Sequence, residues 1–123
     1  LALAKPDIVV LQELKAPQEA FPETAIEAAG YQAIWHGQSR WNGVALLSRV
    51  GEIYETRRGL PGDSSDEQSR YIEAAVGGVL IAGLYLPNGN PRPGPKFDYK
   101  MAWMARLQAH LATLVGLKAP GNE

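Results

Sequence analysis

A carboxylate and an ammonium group follow an aliphatic run near the start of the chain. Ile8 to Leu11 is uninterrupted aliphatic sequence, and Gln12, Glu13 and Lys15 follow it. Polar side chains at the end of a buried strand are typical of ligand sites in α/β proteins. Mg²⁺ takes one or two protein carboxylates and completes its shell with water and phosphate oxygens. Glu13 is therefore a candidate metal ligand, although a solvated carboxylate at a strand end has the same pattern.

A second polar pair follows another aliphatic run. Tyr85 comes directly after residues 79–84, and Asn88 lies in a Pro-Asn-Gly turn. A phenol and an amide can both donate hydrogen bonds to a phosphate oxygen. If the two strands are parallel, their carboxyl ends share one edge, and Tyr85 and Asn88 face the same crevice as Glu13. The commoner alternative is a buried tyrosine with a backbone partner and an asparagine that holds a turn.

Composition and motifs exclude several other chemistries. The 123 residues contain no cysteine, which excludes thiolate sites, and their net charge of −1 argues against a strongly basic surface but leaves room for a local basic face. His36 and His110 lack metal-ligand spacing, and the chain has no serine elbow and no phosphate-binding glycine loop. Scattered arginines and lysines, with Trp41 and Asn42 in a loop, could line a DNA backbone. The lack of cysteine fits a reducing cytoplasm, and the sequence shows neither a membrane-spanning apolar run nor a signal peptide, so we expect a cytoplasmic protein that does not bind membranes.

These candidate residues need a scaffold of strands and helices. Hydrophobic patterns predict strands at 7–12, 31–36, 43–48 and 52–58, and a hairpin of 70–76 and 79–86 around Gly77-Gly78. They predict a short helix at 22–29 and a long amphipathic helix that starts between residues 95 and 98 and ends at 116. The unbroken apolar run at 7–12 favours a parallel strand. The order of elements predicts an α/β fold with helices packed on a mixed sheet.

The ordered motifs resemble one family along nearly the whole chain. They are Pro-Asp-Ile-Val-Val-Leu-Gln-Glu-Leu-Lys at 6–15, Gly-Tyr at 30–31, His-Gly-Gln at 36–38, Asn-Gly-Val-Ala-Leu-Leu-Ser at 42–48, Arg-Arg-Gly-Leu-Pro-Gly-Asp at 57–63, Tyr-Leu-Pro-Asn-Gly at 85–89 and Lys-Phe-Asp-Tyr-Lys at 96–100. This set is similar to abasic-site DNA repair nucleases of the exonuclease III type, within the endonuclease/exonuclease/phosphatase superfamily. Each motif alone is weak, but their order and spacing make the resemblance strong.

The resemblance implies a fold, a reaction and roles for three residues. The fold would be part of a DNase I-like four-layer α/β sandwich, a mixed sheet with flanking helices. The reaction would be hydrolysis of phosphodiester bonds in duplex DNA, at abasic sites and 3′ ends, with Mg²⁺ or Mn²⁺. By position, Glu13 resembles the metal ligand, Tyr85 the active-site tyrosine and Asn88 a phosphate contact. Lys15 lies beside this site in the family pattern, with no catalytic role assigned.

The chain also departs from the family pattern. The pattern has an Asn on a strand before Leu1, a later Gly-Asp-x-Asn segment and a late Asp-His pair, which these 123 residues lack. Leu1 to Ala4 reads as the last turn of a helix, and residues 118–123 as a turn. We therefore expect one incomplete domain over residues 1–123, part of a longer protein, that is inactive alone and either self-associates or depends on the missing half. The alternatives are a lipid-directed phosphoesterase of the same superfamily or a non-catalytic binding fragment.

Overall fold

The structure, a computed structural model, describes residues 6–118, and the side chains of residues 6–114. The predictions for both chain ends lie outside these residues. In chain order the elements are β1 (Ile8–Gln12), a 3₁₀ helix (Gln18–Ala20), α1 (Glu23–Ala28), β2 (Gln32–His36), β3 (Val44–Ser48), β4 (Ile53–Arg58), β5 (Tyr71–Val76), β6 (Val79–Leu84) and α2 (Pro95–Lys118). The chain divides into two compact units, Leu1–Gly59 with Glu67–Tyr85, and Leu60–Asp66 with Leu86–Glu123. The expectation of a single incomplete domain stays a prediction.

The first unit is built from two three-stranded sheets. Their strand orders are β1-β3-β2 and β4-β5-β6. β3 is the most buried strand, and its side chains alternate between two faces. Val44 and Leu46 pack against Ile72, Ala74 and Val76 of β5, which forms a core shared by the two sheets. Each such aliphatic side chain contributes about 1.5–3 kcal/mol when it is fully buried.

The opposite face of β3 packs against the segment around α1. Ala45 and Leu47 form a second core with Tyr31, against which Phe21, Ile26 and Trp35 pack. The rings of Phe21 and Trp35 stack with their centroids 4.4 Å apart. This unit therefore layers a helix on a sheet on a sheet, as the predicted α/β class requires.

The predicted direction of β1 is wrong. β1 pairs with β3 in antiparallel register, Ile8 opposite Ser48 and Gln12 opposite Val44. Every strand pair among residues 6–118 is antiparallel. Apolar side chains pack on both faces of β1: Ile8 packs on the core between the sheets, Val9 and Leu11 pack on the core near α1, and Val10 is 40% exposed. Packing on both faces removes the polar alternation whatever the strand direction, so the pattern could not decide it.

The predicted hairpin is confirmed. Val76 pairs with Val79, so Gly77 and Gly78 form a two-residue turn between β5 and β6. Their φ angles are +57° and +81°, and positive φ at both central residues is the type I′ geometry that favours glycine. The other predicted strands and the long helix are also observed, with bounds that move by at most two residues.

The second unit is α2 with the loop that precedes β5. Arg106 of α2 donates from Nε to the Pro61 carbonyl oxygen at 3.1 Å, from Nη2 to that of Leu60 at 2.7 Å and from Nη1 to Asp66 Oδ2 at 2.8 Å. Tyr99 Oη donates to the same carboxylate oxygen at 2.8 Å. The surface loop predicted from composition is thus anchored by a nearly buried ion pair. Among residues 6–118, no helix is both long and apolar enough to cross a membrane.

Candidate active site

Glu13 and Tyr85 meet where β1 and β6 end. Tyr85 Oη donates a hydrogen bond to Glu13 Oε1 at 2.6 Å. One residue earlier in each strand, Gln12 Nε2 donates to the Leu84 carbonyl oxygen at 2.7 Å. The two strands lie in different sheets, so the shared parallel edge expected from the sequence is not what brings the residues together. The juxtaposition comes from two sheets that face each other.

The loop after β1 holds Glu13 in an uncommon backbone conformation. The φ angles of Glu13 and Lys15 are +54° and +53°, in the left-handed region. Each non-glycine residue held there costs about 1–3 kcal/mol, and such residues cluster at functional sites. Two backbone hydrogen bonds hold this loop, from Leu14 N to the Gly43 oxygen at 3.3 Å and from Lys15 N to the Asn42 oxygen at 3.0 Å.

Arg70 holds Tyr85 from the neighbouring strand. Its guanidinium carbon lies 4.9 Å from the centroid of the Tyr85 ring, and Nη1 donates to the Tyr85 carbonyl oxygen at 3.2 Å. Tyr85 N in turn donates to the Arg70 carbonyl oxygen at 2.8 Å. The sequence interpretation treated Arg70 only as one of several scattered cations. Counting outward from the Gly77-Gly78 turn places residue 70 opposite residue 85, so the predicted hairpin already contained this signal.

The electrostatics of the pair favour a protonated phenol. The hydrogen bond to Glu13 raises the pKa of Tyr85 above its ordinary value, partial burial and the Glu13 charge add to this, and Arg70 opposes it. Lys15 Nζ lies 3.9 Å from Glu13 Oε2, with both side chains about half exposed, at 58% and 49%. Tyr85 is therefore a hydrogen-bond donor at neutral pH, and the second oxygen of the half-exposed Glu13 side chain lies beside a cation.

Glu13 suits a cation that needs few protein ligands. No cluster of three or more His, Cys, Asp or Glu side chains occurs in the part of the chain that the structure describes. A closed protein cage is thus not built from these residues. Mg²⁺ commonly takes one or two carboxylates and leaves the rest of its octahedral shell to water and phosphate oxygens. A half-exposed carboxylate with one oxygen outside the Tyr85 hydrogen bond matches that donor chemistry.

Two other predicted residues have different surroundings. Asn88 belongs to the second unit, where its Oδ1 accepts a hydrogen bond from Asn90 N at 3.1 Å. Its place beside the Glu13–Tyr85 pair stays a prediction. Asn42, expected in a loop that could line DNA, is buried and donates to Gln38 Oε1 at 2.9 Å, whereas its neighbour Trp41 is 66% exposed.

Comparison with known proteins identifies relatives that match most of the chain. The model of the Endonuclease/Exonuclease/phosphatase family matches residues 1–121. The chain is 39% identical over 112 residues to exodeoxyribonuclease III of Haemophilus influenzae. The aligned region covers 87% of this chain and 42% of that protein. It is 28% identical over 113 residues to the DNA repair nuclease APEX1 of Danio rerio, covering 89% of this chain and 36% of that one.

Solved structures agree with these sequence relatives. The 3′-5′ exonuclease NExo from Neisseria meningitidis superposes with a TM-score of 0.88 at 40% identity, over 94% of this chain and 45% of that one. An AP endonuclease from Archaeoglobus fulgidus superposes with a TM-score of 0.82 at 34% identity, over 89% of this chain and 42% of that one. The predicted DNase I-like α/β fold is confirmed by these likenesses. The chain spans less than half the length of each of these relatives.

Proposed function

The chain belongs to the Endonuclease/Exonuclease/phosphatase family, and on that premise we propose that it supplies part of the active site of a DNA repair nuclease. The proposed enzyme is of the exodeoxyribonuclease III type. It hydrolyses phosphodiester bonds of duplex DNA at abasic sites and at 3′ ends. The hydrogen bond between Tyr85 and Glu13, from the ends of two strands, is the observation that carries the proposal.

Glu13 is the proposed ligand of a divalent cation, Mg²⁺ or Mn²⁺. Once bound, such a cation supplies positive charge to the phosphate and to the leaving oxygen. The left-handed backbone at Glu13 and its hydrogen bond to Tyr85 fix one carboxylate oxygen, which leaves Oε2 for the cation. Lys15, 3.9 Å from that oxygen, adds a positive charge that favours an approaching phosphate.

Tyr85 is the proposed donor to the scissile phosphate. The single proton of its phenol, which is donated to Glu13 Oε1 in this structure, would be donated to a phosphate oxygen instead once DNA and the cation are bound, as negative charge develops there. Arg70 stacks on the ring of Tyr85 and donates a hydrogen bond to its carbonyl oxygen, so these two contacts restrict the orientation of the phenol. Asn88 is proposed as a neighbouring phosphate contact, through its side-chain amide.

None of the residues proposed here serves as the general base that activates water. Glu13 would bind the cation and Tyr85 would donate a hydrogen bond, so neither is left to take a proton from the attacking water. We therefore propose that the 123 residues are inactive alone and that activity belongs to a protein that also contains the remaining family motifs.

The activities of the relatives favour a DNA substrate over a lipid substrate for the proposed enzyme. Exodeoxyribonuclease III of Haemophilus influenzae and the NExo exonuclease are 39% and 40% identical to this chain. A second NExo structure, 40% identical, is described as a 3′ phosphatase bound to a product DNA hairpin. The assay should therefore include abasic sites and both 3′-hydroxyl and 3′-phosphate ends.

The test is a substrate panel for the full-length protein that carries this chain. We expect Mg²⁺-dependent cleavage of abasic duplex DNA or release of nucleotides or phosphate from 3′ ends, abolished by EDTA. Phosphoinositide and sphingolipid head groups should give no product. Activity on lipid head groups without activity on DNA contradicts the proposal, and the absence of any phosphoesterase activity favours a binding domain.

A further inference from the structure

A glutamine in the loop between β2 and β3 joins the two segments that flank the candidate site. Gln38 Oε1 accepts hydrogen bonds from Asn42 Nδ2 at 2.9 Å and from Ser69 N at 2.8 Å. Asn42 and Ser69 are buried, and Gln38 is partly buried. A single carbonyl oxygen thus ties a loop residue to the residue that precedes Arg70.

On one side, the tied loop supports Glu13. Asn42 has a φ of +57°, and its carbonyl oxygen accepts from Lys15 N at 3.0 Å. The next carbonyl, that of Gly43, accepts from Leu14 N at 3.3 Å. These two bonds hold the turn in which Glu13 takes its left-handed conformation, so the backbone of residues 42 and 43 supports the residue that carries the carboxylate.

On the other side, Ser69 leads to Tyr85. Its carbonyl oxygen accepts from Gly43 N at 2.8 Å, and its hydroxyl donates to the Gly37 oxygen at 2.9 Å. The following residue, Arg70, bonds the backbone of Tyr85 and stacks on its ring. The chain of contacts runs from Glu13 through Gly43, Ser69 and Arg70 to Tyr85, and closes at the 2.6 Å hydrogen bond to Glu13.

We propose that Gln38 is a positioning residue that sets the distance between Glu13 and Tyr85. It touches neither residue of the pair and acts through the loop at Asn42 and the backbone at Ser69. Without its oxygen, the Asn42 amide and the Ser69 N–H lose a shared acceptor, and the two sides of the ring can shift apart. The importance of this distance rests on the proposed function, whereas the geometric effect can be measured without nuclease activity.

The test measures the Tyr85–Glu13 hydrogen bond by NMR, with ¹³C at tyrosine Cζ, in the full-length protein that carries this chain. The chain has five tyrosines, so Tyr85→Phe assigns the Tyr85 resonance, and Glu13→Ala gives its position when the bond is absent. Gln38→Met removes the acceptor at nearly constant volume. We expect its Tyr85 resonance to move more than halfway toward the Glu13→Ala position, and Gln38→Glu, which keeps an acceptor, to restore it.

The matched control is Ser48→Ala at the far end of β3. Ser48 is buried, donates to the Gly51 oxygen at 3.0 Å and accepts from Val50 N at 3.3 Å, so its loss also removes two hydrogen bonds. The Tyr85 resonance should not move in this variant. If Gln38→Met does not fold, Asn42→Gly removes one of the two donors and keeps the positive φ, and should move the resonance in the same direction.

Three outcomes overturn the proposal. They are an unmoved resonance in the folded Gln38 or Asn42 variant, an equal shift in Ser48→Ala, and a Gln38→Glu variant that resembles Gln38→Met. Because no DNA is present, a negative result here leaves the nuclease proposal standing. A negative substrate panel likewise leaves this geometric result standing.

Discussion

The Tyr85 phenol lies between the Glu13 carboxylate, which favours the protonated phenol, and the Arg70 guanidinium, which favours the phenolate. The hydrogen bond to Glu13 has the larger effect, so the pKa of Tyr85 is raised. A raised pKa in the folded state means that the fold favours the protonated phenol. Its stabilising contribution is complete below the ordinary tyrosine pKa of about 10 and is lost as pH rises through the raised value.

We predict that Glu13→Gln lowers the pKa of Tyr85 toward the ordinary value, because a neutral amide no longer opposes a phenolate. The measurement is an NMR titration of the Tyr85 ring. Tyr54 is the matched control, since it donates to Glu52 Oε1 at 3.0 Å and its pKa is also raised, first by that hydrogen bond. Glu52→Gln should change only Tyr54, and a Tyr85 pKa that stays unchanged in Glu13→Gln contradicts the account.

At this scale the sequence predicted part of the site. Glu13 and Tyr85 are candidates from their positions after two apolar strands, the family resemblance implies their roles, and the structure brings them into contact. Their catalytic and metal-binding roles stay predictions. Arg70 was missed although the hairpin register indicated it, and Gln38 was missed because its two partners, Asn42 and Ser69, are joined only by the packing of loops from different strands. Hydrophobic periodicity carries no information about such contacts.

Strands and turns were predicted more fully than strand direction. Apolar alternation and glycine pairs are local signals, so the order of elements and the β5–β6 hairpin followed from them. The direction of β1 depends on how it pairs with β3, and a continuous apolar run with packing on both faces is equally compatible with either direction. The buried anchor of the loop before β5 was likewise hidden, because Arg106 and Asp66 are far apart in sequence.

The hairpin turn gives a prediction about backbone conformation. Gly77 has a φ of +57°, and a side chain there would meet no atom within 4 Å. Gly77→Val should therefore lower the free energy of unfolding by about 1–2 kcal/mol through backbone strain alone. Gly77→Asn should cost much less, because asparagine tolerates the left-handed region. Urea unfolding of both variants tests this, and equal losses would argue against a left-handed turn.

The ion pair of the second unit gives a prediction about burial. The side chains of Arg106 and Asp66 are 14% and 6% exposed. Arg106→Met leaves the Asp66 carboxylate buried without its cation and should cost about 3–5 kcal/mol of unfolding free energy. The control is Arg58→Met, which removes an exposed pair with Glu55 and should cost at most about 1 kcal/mol. Similar losses in the two variants would contradict the burial of the Arg106 pair.

As a whole molecule, the chain matches a family along residues 1–121 while spanning less than half the length of the relatives described above. Several large apolar side chains of the described residues are exposed, among them Val10, Trp41, Met101 and Leu111. Met101 and Leu111 line one groove on α2, and contiguous exposed apolar surface favours association. We therefore predict that the 123 residues self-associate in sizing experiments and do not nick abasic DNA. A monodisperse monomer contradicts the first prediction, and EDTA-sensitive nicking contradicts the second.

We propose that Glu13 and Tyr85 form part of a nuclease active site, and variant kinetics of the full-length protein test this most directly. Glu13→Gln should lower Mg²⁺-dependent cleavage of DNA at least about 100-fold. Replacing a residue that only orients a metal ligand already lowers activity about 10–100-fold, and replacing the ligand itself should lower it at least as much. Tyr85→Phe should lower it about 10²–10³-fold through the lost donor. Glu52→Gln and Tyr54→Phe disrupt a similar exposed hydrogen bond and should leave the rate unchanged. Wild-type rates in both Glu13→Gln and Tyr85→Phe would contradict the claim.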